Sequence, residues 1–403
     1  MPVVCLYFQL HQPRRLRRYS FFDIDRVDVY EDEPANRLLL DRVAAKCYLP
    51  ANRILLDAIR RHDGAFRVAF SLTGVLLEQL EKDRPDVLAS FRKLADTGCV
   101  EFLSETHHHS LACLFSRREF SQQVLQHRRK IEALFGRTPA TFRHTELIYS
   151  NELARIVERM GYRAILTEGA GRILGGRSPD RVYRPAGCRR LKLLLRNYRL
   201  SDDIALRFSD RAWPGHPLTA EKFAQWIHCI DDDAAVVNLF MDYETFGEHH
   251  GMESGILSFL ESLPAAILKD GRFRFQTPDE AAASHDPAAA LDAPDPLSSA
   301  DQERDLTAWL GSAMQQDAIQ SLYQLERRVR RRGGAYLETW RALQTSDHFY
   351  YMCTKWSAGG DVHRRFSPYP SPYDAYINYM NILDDFSRRV KRKSSASMEE
   401  DQI

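Results

Sequence analysis

Seven short apolar runs recur along the first 242 residues, and none is longer than a single strand. They are VVCLYF (3–8), FRVAFSL (66–72), CVEFLS (99–104), ATFRHT (140–145), AILTEG (164–169), LKLLLRN (191–197) and AVVNLFMD (235–242). A run that is apolar without alternation suits a strand buried on both faces, as in a parallel sheet. Between these runs lie segments with helical spacing, such as NRILLDAIRRH (52–62), SRREFSQQVLQHRRKIEALFG (116–136) and SNELARIVERMG (150–161). The last opens on a good N-cap, Ser150, and stops at Gly161. Strand alternating with helix through about seven units predicts an α/β barrel.

The composition changes at ASHDPAAALDAPDPLSSADQER (283–304), where Ala, Asp, Pro and Ser follow no period. The barrel is therefore assigned to 1–283 and a linker to 284–304. A helical region follows over 305–393. Within it WLGSAMQQDAIQSLYQLERRVRRRGG reads as one long amphipathic helix ending at Gly333 and Gly334. The charged, polar end, 394–403, reads as a disordered tail.

The net charge of +1 gives no reason to expect a nucleic acid or an anionic membrane as partner. The seven cysteines are scattered with no C-x-x-C pair, which predicts reduced and mostly buried thiols. MPVVCLYFQLHQP has no basic n-region, and no stretch is long and apolar enough to span a bilayer. The expectation is a soluble, cytoplasmic protein.

The active site of a parallel barrel lies at the C-terminal ends of its strands. After the first run come His11, Gln12 and Pro13. The third contains Glu101 and is followed by Glu105 and His107–His109. The fourth runs into Glu146, the fifth ends near Glu168, the sixth at Arg196 and Asn197, and the seventh at Asp242 with Glu244 just beyond. Glu146 has Phe142 before it and Leu147 directly after, and Asp242 follows Leu239, Phe240 and Met241, so both sit in partly apolar surroundings where desolvation can raise a pKa. Two carboxylates in unlike environments are what glycosidic bond cleavage requires. The competing reading of either acid is a structural ion pair with a neighbour such as Arg143.

These residues resemble glycoside hydrolase family 57, most closely its α-amylase group. The likeness is carried by HQP at the start, by FRHTELIY and by MDYETFGEHH. GCVEFLSETHHHSLA (98–112), LLLRNYRLSDDIALRFS (193–209), TSDHFYYM (345–352) and SPYPSPYDAYINYMN (367–381) extend it over nearly the whole chain. The resemblance implies an incomplete TIM-like (β/α)7 barrel followed by a C-terminal helical bundle. It implies a retaining α-glucan-active enzyme that cleaves α-1,4-glucosidic bonds of starch, glycogen or maltooligosaccharides. Glu146 falls on the nucleophile position and Asp242 on the general acid/base. His11, Glu101, His109, Trp213, Glu244, Trp309 and Asp347 are expected to contact substrate, although either Trp serves equally well in a core.

The alternatives are a 4-α-glucanotransferase or a branching enzyme of the same family. More distant ones are a metal-dependent polysaccharide deacetylase and a non-catalytic glucan-binding protein. Adjacent strand side chains point to opposite faces, so three successive His cannot all reach one ion. No H-E-x-x-H and no zinc-type Cys/His spacing occurs. No metal or cofactor is expected to serve the chemistry.

Overall fold

A computed structural model describes residues 2–231, 234–355 and 367–392. The chain divides into two compact units. The first comprises 1–12, 37–107 and 121–305; the second comprises 13–36, 108–120 and 306–403.

The first unit is the barrel. Its strands are β1 (Val3–Leu10), β2 (Val68–Leu72), β3 (Val100–Phe102), β4 (Thr141–Arg143), β5 (Ala164–Glu168), β6 (Lys192–Arg196) and β7 (Val236–Asp242). All seven expected runs are strands, ordered β3-β2-β1-β7-β6-β5-β4 and parallel throughout. A full TIM barrel has eight.

Burial on both faces explains the unbroken apolar sequences. In β1, Val4, Leu6, Phe8 and Leu10 pack outward against the helices, whereas Val3, Cys5 and Tyr7 join the barrel's inner cluster. In β7, Val237, Leu239 and Met241 face outward and Val236 and Phe240 inward. Asp242 therefore falls on the inward side of the strand.

Pairing is uneven around the ring. β1 and β7 pair from Val3↔Val236 to Gln9↔Asp242. β6 and β7 share only Arg196↔Asn238, helped by Asn197 N–H to the Asn238 carbonyl at 2.9 Å. β3 and β4 meet only through Ser104, whose N–H donates to Thr141 and whose carbonyl accepts from Arg143.

The N-terminal end of the barrel is floored by the helix Pro278–Ser284, which places Ala281 in the inner cluster. The strand before it, Arg274–Phe275, pairs with Val3 and Val4 at the start of β1.

Residues 284–304, expected as a linker, belong to the first unit. Ala290–Leu291 pairs with Arg184–Pro185, and Leu297 exchanges two 2.9 Å backbone hydrogen bonds with Tyr149.

The second unit is mainly helical. The long helix expected over 309–334 is broken into Thr307–Leu310, Ala313–Gln324 and Glu326–Arg332. The first break has a chemical cause: Ser312 is an N-cap in a reciprocal capping box with Gln315. Helices Gly334–Ala342, Ser346–Tyr350 and Pro372–Lys391 follow. Buried Glu119 accepts from Arg330 at 2.7 Å and Arg341 at 2.9 Å. Asp385 accepts from the Tyr30 hydroxyl at 2.5 Å and Arg389 at 2.7 Å. The tail expected at 394–403 lies outside the described residues.

Candidate active site

β4 ends at Arg143 and turns through His144, Thr145, Glu146 and Leu147. Glu146 sits at φ 56°, ψ 28°, and Leu147 at φ 51°. Neither is glycine, so each occupies the left-handed region against the steric preference of its Cβ. Such strain costs roughly 1–3 kcal/mol per residue and persists only where surrounding structure enforces it. Here Leu147 N–H returns to the His144 carbonyl and Ile148 N–H to that of Thr145, both at 3.0 Å. The Thr145 and Thr106 hydroxyls bond at 2.9 Å. Ser299 donates to the Glu146 carbonyl twice, from its N–H at 2.9 Å and its Oγ at 3.0 Å. The Glu146 side chain is half-buried.

At the end of β7 the burial expected for Asp242 is not found. Asp242 is exposed, because the apolar residues before it alternate between the two faces of the strand while it stands at the open rim. The buried acid is Glu244, 6% exposed, in the short turn that follows. Its Oε1 accepts from the Tyr48 hydroxyl at 2.5 Å and Gln12 Nε2 at 3.2 Å. Burial, and then the charge of Asp242, push the Glu244 carboxyl up to about 8. Gln12 is fixed in turn by Gln79, which donates to its carbonyl at 2.8 Å.

Between these acids the barrel interior is aromatic and cationic. Tyr7 stacks on Phe240 at 5.0 Å. The Arg143 guanidinium lies 5.0 Å and that of Arg196 6.0 Å from the Phe240 ring centroid. Arg196 also bonds Glu168 at 3.1 Å and Asp202 at 2.5 Å, and Arg304 reaches Glu168 at 2.8 Å. Arg143 faces Glu105 at 3.9 Å. Glu105 is fully buried and accepts from Ser71 Oγ at 2.7 Å. Thus Arg143 pairs with Glu105, one of the acids read at a strand end but not assigned a role. His11, after β1, bonds the Thr73 hydroxyl at 3.0 Å through Nδ1, and Thr73 caps the helix Gly74–Asp83.

Glu101 does not stand at this rim. It lies within β3, and its Oε2 accepts the Asp279 N–H at 2.8 Å, beside the helix that floors the barrel. Burial pushes its carboxyl up to about 7. A substrate contact at the C-terminal rim is incompatible with that place, and Glu105 occupies the rim end instead. Trp213 packs edge-on against Trp226 and joins the outer core.

The histidine clusters disperse. His107 lies against Gly74, where an added Cβ would meet its ring at 2.2 Å, and bonds Glu78 at 2.9 Å. His250 bonds Ser209 at 2.7 Å and the Ala205 carbonyl at 3.0 Å.

The other expected residues belong to the second unit. His109 is buried, at φ 51°, and its carbonyl accepts the Ser346 N–H at 2.9 Å. This brings it beside the half-buried Asp347. Trp309 is 1% exposed and packs near Tyr350, a core position with no ring face to offer a sugar.

The family model for glycosyl hydrolase family 57 matches residues 5–294, a span that contains six of the seven strands whole and most of β1. The chain belongs to glycosyl hydrolase family 57. It is a glycoside hydrolase, and its barrel is the fold of that family. A Methanocaldococcus jannaschii protein named "Putative alpha-amylase" is 39% identical, over 96% of this chain and 85% of its own length. A GH57-type branching enzyme from Pyrococcus horikoshii superposes with a TM-score of 0.69 at 15% identity, covering 99% of this chain and 93% of that one. A 4-alpha-glucanotransferase from Thermococcus litoralis gives 0.62 at 15% identity. There the match covers 97% of this chain but only 60% of the other, which is the longer protein. At such identities the two structures speak for the fold alone.

Proposed function

We propose that the protein is a retaining α-glucan-active hydrolase of the α-amylase type, with Glu146 as nucleophile and Asp242 as general acid/base. One observation carries the assignment. Glu146 is a non-glycine residue held in a left-handed turn immediately after a barrel strand, where functional strain concentrates. Asp242 stands on the inward side at the end of β7, open to solvent and substrate.

In the first step the Glu146 carboxylate attacks the anomeric carbon. The glycosidic C–O bond breaks as Asp242 gives its proton to the departing oxygen. In the second step Asp242 takes a proton from water, and the oxygen of that water displaces Glu146 from the anomeric carbon. Two inversions leave the configuration unchanged. A sugar hydroxyl entering in place of water turns the same intermediate into a transfer product. Substrate is an α-glucan chain or maltooligosaccharide, as the name of the 39% identical relative supports.

We place the protein in the cytoplasm because five of its seven cysteines are buried, as suits reduced structural thiols. No helix among the described residues is long and apolar enough to cross a membrane. The deciding experiment is product analysis after incubation with maltoheptaose, with the anomer followed by NMR. Shorter sugars formed first as the α-anomer support the reading. Initial release of the β-anomer, or no cleavage, overturns it.

A further inference from the structure

We propose that Ser299 is a positioning residue for the nucleophile, pinning the left-handed turn that carries Glu146. The inference rests on Glu146 being the nucleophile and adds a residue 153 positions away in sequence.

The two short bonds inside the turn end on the His144 and Thr145 carbonyls. Ser299 supplies two donors to the Glu146 carbonyl, at 2.9 and 3.0 Å. Tyr149 and Leu297 are cross-linked at 2.9 Å in both directions, which ties the chain leaving the turn to the same segment.

The donor is itself anchored. Ser298 Oγ bonds the Asp305 carbonyl at 2.6 Å and accepts from Ala300 N–H at 3.2 Å. Arg172 donates to the carbonyls of Pro296 at 2.9 Å and Arg304 at 2.8 Å. The Arg304 side chain pairs with Glu168 and covers the Tyr198 ring at 4.2 Å. The segment is therefore fastened to the ends of β4, β5 and β6, and Ser299 presents fixed donors.

Ser299 acts on the backbone of Glu146. Removing one donor lets the strained turn relax toward ordinary backbone geometry and swings the carboxylate off line. Displacements of this kind cost rate even when binding survives.

The test uses the full chain with maltoheptaose consumption as assay and 5-fluoro-α-glucosyl fluoride as a trapping probe. Ser299→Ala keeps the backbone donor and loses Oγ. It is expected to lower kcat about tenfold and to slow trapping by the same factor, with KM changed less than about twofold. Ser299→Thr, which restores the hydroxyl, is expected to recover kcat to within about threefold of the parent. Ser298→Ala loosens the segment but keeps both Ser299 donors, and is expected to lower kcat clearly less than Ser299→Ala does.

Parent-like kcat in Ser299→Ala overturns the inference. So does an equal loss in Ser298→Ala, or no recovery in Ser299→Thr. A label found on a carboxylate other than Glu146 overturns the parent reading and this one together. A label on Glu146 with a silent Ser299→Ala overturns this one alone.

Discussion

The Tyr48 hydroxyl and the Glu244 carboxyl meet across 2.5 Å in the buried ground behind Asp242. The acid so held carries its proton up to about pH 8. An unfolded glutamate releases that proton near pH 4.3. Between these values the folded chain binds a proton that the unfolded chain has lost, so stability falls as pH rises through the window. Glu101, raised to about 7 by burial, acts in the same direction.

Glu244→Gln is accordingly expected to raise the melting temperature near pH 8.5 and to change it little near pH 5. Thermal melts of parent and variant across this range check the point. A parallel shift at every pH counts against the buried acid. Tyr48→Phe removes the shorter of the two side-chain hydrogen bonds to Glu244 and is expected to cost roughly 1–3 kcal/mol, because a buried acceptor loses a donor.

Glu146→Gln is expected to reduce turnover by at least about a thousandfold, because the attacking group is gone. The melting temperature should stay within a few degrees, since the turn is held through the Glu146 carbonyl and that carbonyl is retained. Retained turnover in a folded variant would remove Glu146 from the nucleophile's role.

Asp242→Asn is expected to discriminate between leaving groups. Turnover of maltooligosaccharides should fall steeply, because the departing alkoxide needs a proton. An aryl glucoside whose phenol leaves unaided should form the covalent intermediate at near-parent rate and then accumulate it, as base assistance to water is missing. Mass spectrometry of the quenched enzyme reads the accumulation. Equal loss on both substrates at the first step is the contrary result.

Prolonged dialysis against EDTA is expected to leave activity unchanged within about twofold, since two carboxylates suffice for nucleophile and proton transfer. Activity lost on chelation and restored by a divalent ion would require a different mechanism.

Much of the barrel was legible because strands buried on both faces write themselves as unbroken apolar runs. The ends of the fourth and seventh runs led to Glu146 and Asp242. Their surroundings were less legible. Leu239, Phe240 and Met241 suggest an apolar setting for Asp242, yet side chains of one strand serve two faces and the last residue serves the rim. Motif likeness points Glu101 at substrate, although its place inside β3 sets it below Glu105, which follows the strand. Ser312 and Gln315 carried the capping-box signature that breaks the expected long helix. Ser299 had no local signal. Its segment is rich in Ala, Pro and Asp, and its role arises from hydrogen bonds to a turn that only the folded chain brings near.

The uneven pairing around the ring divides the barrel into two arcs. Four strands, β3, β2, β1 and β7, form one; β4, β5 and β6 form the other. Ser104 and the Arg196–Asn238 pair are the joints. Amide exchange should be fastest, among strand-edge amides, at Ser104 and Asn197, where few neighbouring bonds oppose local opening. Glu146 follows the end strand of one arc and Asp242 ends that of the other. The gap between the Glu146 and Asp242 carboxyls, our proposed nucleophile and proton donor, is therefore a property of two narrow joints, and small slips there change it without unfolding either arc.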